Sequence, residues 1–201
     1  MSLLVIISSP SGGGKDTTIR KLLKIFPNSA RLVTTTTRPM RPRDIQRVDY
    51  HFLSEAEFKN KISQGKMLEH VIYSGHHYGI QKEHLEKMLK SHPLVFTNID
   101  IRGRKSIEKT GINLISIFLM PDSLDDLSKR ILHRGGVTPA ELRARLEKAK
   151  HEMAEANLYD YTVTNYDGKL GQTVKQVAKI IATKLNHRGT KPTIDKKPPI
   201  R

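Results

Sequence analysis

A short apolar run followed at once by a glycine-rich loop limits the fold of this chain more than any other feature. Residues 3–7 (LLVII) suit a buried strand but are too short for a membrane span or a signal-peptide core. The segment SSPSGGGKDT follows at residues 8–17, and apolar residues at positions 19–26 then recur with helical spacing. A strand, a glycine loop and a helix in this order are the context in which a phosphate-binding loop occurs.

The loop carries the groups that bind nucleotide phosphates. Its glycines let backbone N–H groups converge on phosphate oxygens at a helix N-terminus, and Lys15 adds a positive charge at the transferring phosphoryl group. Two positions depart from G-x-x-x-x-G-K-[ST], because Ser9 replaces the first glycine and Asp16 replaces the hydroxyl residue. Asp16 has two interpretations, a direct or water-mediated Mg²⁺ ligand or an acidic helix cap. The residues predicted to bind ATP in this loop are Ser11, Gly12, Gly13, Gly14, Lys15, Asp16 and Thr17.

Strands and helices alternate along most of the chain. Residues 95–100, 114–120 and 161–165 are predicted strands, and capping boxes begin helices after Ser54 and Thr138. The pattern predicts an α/β fold of the P-loop NTPase class, a doubly wound parallel sheet with an inserted acceptor-binding region and a helical lid. The predicted domain covers residues 1–187, with a core (1–33 and 81–187), an insertion (34–80), a lid at about 130–150 and a disordered basic tail (188–201).

The formal charge of +15 raises the question of nucleic-acid binding. Residues 184–201 hold six basic residues and one Asp, so residues 1–183 still carry +10. No nucleic-acid-binding signature accompanies the charge, and anionic nucleotides exploit the same field, so nucleic-acid binding is a minor hypothesis. The sequence has no cysteine, which excludes disulfides and thiolate chemistry. With no export or membrane segment visible, we expect a cytoplasmic protein.

Residues 34–100 carry a set of motifs that is more specific than the loop. They read TTTTR at 34–38, VDYHF at 48–52, LEH at 68–70 and YG at 78–79, with Arg41 and Asp100 at family spacing. On these motifs the chain resembles guanylate kinase from about residue 3 to residue 185.

The resemblance implies a site for a phosphorylated acceptor, GMP first of all. It implies that Arg38, Arg41, Tyr50 and Tyr78 hold the acceptor phosphate, and that Thr34 and Glu69 contact the guanine. Two arginine forks and two phenols suit a phosphate, and a carboxylate accepts from both guanine N1–H and N2–H. The full acceptor-binding prediction is Thr34, Arg38, Arg41, Tyr50, Glu69, Tyr78, Ile80, Asn98 and Asp100, and the metal-ligand prediction for Mg²⁺ is Asp16 and Asp100.

Residues 129–134 and 143–145 resemble the family's lid, whose arginines close on the phosphates. The predicted catalytic residues are therefore Lys15, Arg38, Arg130, Arg134 and Arg145. Asn165 matches a family position near the ATP base, although a polar residue at a strand end explains it equally well.

Two acceptor positions differ from the family pattern. Ile80 stands where Ser or Thr is usual, and Asn98 where Asp is usual. Together with Asp16 they resemble ribose 1,5-bisphosphate phosphokinase, so that acceptor is the alternative to GMP, and a non-catalytic guanylate-kinase-like binding module is a third hypothesis. If GMP is the acceptor, the sequence predicts that Ile80→Ser with Asn98→Asp raises GMP use about tenfold or more. Oligomeric state is not predicted.

Overall fold

The computed structural model describes residues 2–42, 44–73, 75–133 and 135–186. Predictions for Arg134 and for the tail at 188–201 lie outside these residues. In chain order the strands are β1 (Leu3–Ser8), β2 (Ser29–Arg31), β3 (Thr35–Thr36), β4 (His51–Phe52), β5 (Met67–Tyr73), β6 (His76–Gln81), β7 (Leu94–Thr97), β8 (Leu114–Pro121) and β9 (Tyr161–Asn165).

The helices follow the strands as the alternation predicts. They are α1 (Lys15–Ile25), α2 (Glu55–Ser63), α3 (Lys82–Ser91), α4 (Ile101–Glu108), α5 (Leu124–His133), α6 (Pro139–Ala154) and α7 (Leu170–Asn186), with a 3₁₀ turn at Glu155–Leu158. Both predicted capping boxes form: Ser54 and Thr138 each accept the N3 backbone N–H, and the N3 glutamate side chain bonds back. No helix in the described part of the chain combines the length and apolarity needed to cross a bilayer.

The central sheet has the order β2-β7-β1-β8-β9, and all its strand pairs are parallel. Alternate residues of β1 point to opposite faces. Leu3, Val5 and Ile7 pack with α1 and α7, whereas Leu4 and Ile6 pack with α3 and α4. Helices therefore cover both faces, which explains why β1 is apolar throughout and confirms the predicted doubly wound sheet.

A smaller sheet carries the acceptor motifs. Its order is β4-β3-β6-β5, with β3 parallel to β4 and antiparallel to β6. These strands lie within residues 35–81, in the region predicted as an insertion, whose limits stay a prediction. The sheet follows β2 directly, so its side chains adjoin the carboxyl edge of the central sheet.

The topology opens a crevice at that edge. The chain leaves β1 toward β2 on one side of the sheet and leaves β8 toward β9 on the other. Ligands of open α/β sheets bind at such a switch point, beyond the carboxyl ends of the strands. The glycine loop follows β1 and therefore lies at this crevice.

Candidate functional site

The loop after β1 has the tight backbone that phosphate binding requires. The Gly13 N–H donates to Pro10 O at 2.9 Å, and a Cβ at Gly13 would lie 2.7 Å from the Ser9 side chain. Gly14 caps α1 with φ near +92°, a conformation that favours glycine. Side chains at these positions would push the loop open, so the glycines keep the backbone within reach of a phosphate.

Asn165, at the end of β9, fixes this loop from outside. Its Nδ2 donates to Gly13 O at 3.0 Å, and its Oδ1 accepts from the Thr173 hydroxyl at 2.9 Å. A Cβ at Gly14 would lie 2.7 Å from the same Nδ2. The oxygen and the nitrogen of this buried amide both make hydrogen bonds within the protein. Asn165 therefore fixes the shape of the loop, and it also lines the adjacent cavity.

Two cavities meet at the loop. The first, about 540 Å³, is lined by loop residues Gly12, Gly14 and Thr17 and by the residues that follow β9. The second cavity, about 650 Å³, lies on the other side of the loop, toward the smaller sheet. Lys15 lines this second cavity. Of the predicted site residues, the second cavity is lined by Ser11, Lys15, Asp16, Thr34, Arg38, Arg41, Tyr50, Glu69, Tyr78, Asn98 and Asp100.

Arg38 is held in place before any ligand arrives. Its NH2 group lies 2.7 Å from Asp44 Oδ2, its guanidinium lies 5.5 Å from the centre of the Tyr50 ring, and Tyr50 in turn packs edge-on against Tyr78. Asp44 Oδ2 also accepts the Arg41 backbone N–H at 2.8 Å. Burial opposes ionisation of Asp44, but these bonds and the arginine charges hold the pKa of its carboxyl below the ordinary value. The sequence analysis missed Asp44.

Glu69 is a buried carboxylate at the back of the second cavity. It is only 8% exposed, and burial, reinforced by the nearby Asp100 charge and opposed by Arg102, raises the pKa of its carboxyl to about 7. Gly103 in α4 makes room for it, because a Cβ there would lie 3.0 Å from Glu69 Oε2. A ligand with N–H donors would relieve the cost of this buried charge.

Asp16 contacts two side chains from neighbouring strands. Its Oδ1 accepts from Arg31 NH2 at 2.8 Å and from Asn98 Nδ2 at 3.1 Å. Gly14 is the N-cap of α1, and Asp16 lies in the first turn of the helix, where the sequence analysis placed an acidic residue. Asp100 does cap a helix, because its Oδ1 accepts the Gly103 N–H at 3.0 Å.

The structure corrects the prediction that Ile80 contacts the acceptor. Its side chain is 1% exposed and packs in the core with Leu4, Ile6 and Leu85, while the preceding Gly79 lines the cavity. Ile80 lies near the end of β6, just before α3, and its side chain packs in the core beside Leu85 of that helix, away from the cavity wall.

The lid arginines occupy different places. Arg130 lines the first cavity, where its Nε donates to Asp167 Oδ1 and its NH2 to Asn165 O, both at 3.1 Å. Arg145 lies on α6 and lines neither cavity among the described residues. The structure therefore does not bring these two arginines together with Arg38, although all three were predicted to act on the phosphates.

Helix α6 supplies cavity residues that the sequence analysis missed. Lys148, His151 and Glu152 face the second cavity, with Lys148 Nζ 3.8 Å from Glu152 Oε1. Burial lowers the pKa of Lys148 and raises that of Glu152. Helical spacing along α6 was the available signal, since positions 148, 151 and 152 share one face.

Comparison with known proteins agrees with this geometry. The family model described as guanylate kinase matches residues 1–184. The chain belongs to the guanylate kinase family. It is 36% identical to guanylate kinase from Rickettsia felis over 179 residues, covering 89% of this chain and 92% of that one. It is 35% identical to guanylate kinase from Clostridium perfringens, covering 89% of this chain and 82% of that one.

A solved structure extends the likeness to three dimensions. The crystal structure of guanylate kinase from Anaplasma phagocytophilum matches with a TM-score of 0.73 at 27% identity, covering 91% of this chain and 86% of that chain. Because the family model matches residues 1–184, the guanylate kinase relationship includes the central sheet, the smaller sheet, α5 and α6.

Proposed function

We propose that this guanylate kinase family member transfers the γ-phosphoryl group of ATP to GMP, giving ADP and GDP. The observation that carries the proposal is the second cavity, whose lining includes Lys15, the buried Glu69 and Arg38, which Asp44 holds by an ion pair. A phosphate-binding loop at one end and an arginine clamp at the other suit an acceptor that is itself a phosphate ester.

Each group has a chemical role in this reaction. An oxygen of the GMP phosphate attacks the γ-phosphorus while the bond to the β–γ bridging oxygen breaks, with no covalent enzyme intermediate. Lys15 offsets charge on the transferred group, and Arg38 and Arg41 neutralise and align the acceptor phosphate. Tyr50 and Tyr78 stand beside these arginines and are assigned to the same phosphate.

Glu69 and Thr34 are assigned to the guanine. Ionised Glu69 accepts from N1–H and N2–H, which adenine does not offer together, and Thr34 lies buried on the same wall. The first cavity suits the adenosine of ATP, with Asn165 behind it as the residue that fixes the loop.

Mg²⁺ is part of the proposal, and the donor set fits it. Among the residues that the structure describes, no group of three or more His, Asp or Glu side chains forms a metal site. This agrees with Mg²⁺ in kinases, which is bound mainly by nucleotide phosphates and water with one or two carboxylates. Asp16 on the cavity wall would hold it, and Asp100 is a weaker candidate because both its oxygens already accept hydrogen bonds. Bound there, Mg²⁺ neutralises phosphate charge.

The proposal is tested by ADP release from ATP with GMP, dGMP, AMP, UMP or ribose 1,5-bisphosphate as acceptor. We expect GMP and dGMP to give the highest kcat/KM, and Lys15→Ala to remove their turnover. Turnover of the ribose bisphosphate above that of GMP would contradict the acceptor. Turnover no higher than that of the Lys15→Ala control with every acceptor would support a non-catalytic module instead. Ile80 packs in the core, so it does not contribute to the wall on which either acceptor would bind.

A further inference from the structure

A departure from the usual P-loop pattern, Asp16, meets in space a departure from the family's acceptor pattern, Asn98. Asp16 and Asn98 are 82 residues apart in sequence, yet Asn98 Nδ2 donates to Asp16 Oδ1 at 3.1 Å. In P-loop enzymes the hydroxyl residue after the lysine and an aspartate of the Walker-B strand hold Mg²⁺. Here the carboxylate follows the lysine, and the amide stands at the end of β7. The pair keeps one carboxylate and one neutral hydrogen-bonding group, but their positions are exchanged.

Arg31 forms an ion pair with Asp16. Its NH2 lies 2.8 Å from Asp16 Oδ1, and its side chain is 19% exposed. Arg31 ends β2 and pairs in register with Phe96 of β7, so Arg31 and Asn98 reach α1 from adjacent strands at the same sheet edge. A cation and an amide donor on the same carboxylate oxygen therefore fix the orientation of the Asp16 side chain.

We propose that Asp16, Asn98 and Arg31 form one positioning unit that holds the phosphate-facing carboxylate on α1 instead of on β7. The inference rests on the proposed ATP-dependent reaction. Both donors bind Oδ1, and within the described residues Oδ2 accepts no hydrogen bond, so Oδ2 is the oxygen that meets metal-bound phosphate or its water. Asp16, Asn98 and Lys15 line the same cavity, which places the unit beside the transferring group. A metal-ligating carboxylate ordinarily has such hydrogen-bonded support.

The unit argues against the gain in GMP use that the sequence predicts for Ile80→Ser with Asn98→Asp. Asn98→Asp alone would set two carboxylates against each other at the present contact and remove the amide donor, so we expect kcat/KM for GMP to fall at least tenfold instead of rising. Asp16→Ser alone removes the carboxylate and should also cost at least tenfold. The double variant Asp16→Ser/Asn98→Asp restores the usual order, and it should recover to within about threefold of wild type.

The experiment is this double-mutant cycle, read in two ways. The first readout is kcat/KM for GMP, and the second is the Mg²⁺ dependence of binding of a non-hydrolysable ATP analogue, measured by calorimetry. Arg31→Ala should weaken Mg²⁺-dependent binding and Arg31→Lys should restore part of it. Lys24→Ala, which removes an exposed cation from the same helix, is the matched control and should change neither readout. Thermal unfolding of each variant shows whether it folds.

The outcomes separate the unit from the proposed function. Recovery of kcat/KM for GMP in the folded Asp16→Ser/Asn98→Asp variant supports the unit. A loss in the double variant equal to the product of the two single-variant losses overturns it. Asn98→Asp that raises GMP use, or single variants with unchanged Mg²⁺ dependence, would also overturn it. If wild type transfers to no acceptor, the proposed function fails, while the calorimetric cycle still decides whether Asp16 and Asn98 are coupled.

Discussion

Replacing Glu69 with Gln should make the protein more stable and a poorer GMP kinase. The substitution keeps the shape of the side chain and removes its charge from a site that is 8% exposed. The pKa of Glu69 rises from 4.5 to about 7, which corresponds to a cost of about 3 kcal/mol for the ionised form in the folded state. The buried charge of ionised Glu69 therefore lowers the free energy of unfolding, while it provides the acceptor with a carboxylate.

The pH dependence follows from the direction of that pKa change. The folded protein holds the Glu69 proton up to about pH 7, whereas the unfolded chain releases it near 4.5, so the carboxyl's contribution to stability falls as pH rises through this window. We expect Glu69→Gln to raise the free energy of unfolding by about 1–3 kcal/mol at pH 8 and to have little effect at pH 4.5. For a domain of this size that corresponds to roughly 2–4 °C in Tm per kcal/mol.

The activity should change in the opposite direction. Loss of a hydrogen bond to a charged group costs about 1.5–3 kcal/mol, so kcat/KM for GMP should drop by roughly tenfold to more than a hundredfold. In wild type, KM for GMP should fall as pH rises through 7, and Glu69→Gln should remove that dependence. Glu86→Gln, an exposed carboxylate on α3, is the control for both assays. Equal stability differences at pH 4.5 and pH 8, or an unchanged KM, would refute the reasoning.

Three further results are expected. Lys15→Ala should lower kcat by about a hundredfold or more with little change in Tm, because a half-buried cation at the start of α1 acts on transition-state charge, and kcat within about threefold of wild type would exclude that role. Asp44→Ala should raise KM for GMP much more than KM for ATP, because it frees Arg38, and equal effects on the two substrates would argue against the clamp. The rings of His51 and His84 pack edge-on at 4.9 Å, and burial lowers the pKa of both side chains. Their protonation should therefore destabilise the fold as pH falls below 6.5. His51→Phe should reduce this loss of stability at low pH, measured by unfolding at several pH values.

Local signals accounted for much of the fold. The apolar run before the loop, the helical spacing after it and the capping boxes at Ser54 and Thr138 depend on neighbours within one turn or one strand, and each formed where predicted. The acceptor motifs lie together in sequence and face one cavity, as the family resemblance implies.

The parts that failed depend on register and on long-range contact. Whether Ile80 lines the cavity or packs in the core depends on how the end of β6 meets α3 and the central sheet, a long-range contact that one sequence does not specify. The bonds of Asp16 to Arg31 and Asn98 join three separate segments through the order of the central sheet. The sequence therefore indicated Asn98 only as an acceptor position, and its hydrogen bond to Asp16 could not be predicted.

Phosphorylation of GMP bound in the second cavity is tested most directly by the identity of the product. Phosphorus NMR of wild-type protein with ATP, Mg²⁺ and GMP should show GDP and ADP forming in equal amounts. A parallel reaction with ribose 1,5-bisphosphate in place of GMP should form ADP much more slowly. ADP formation without GDP, or faster phosphorylation of the ribose bisphosphate, would contradict the account.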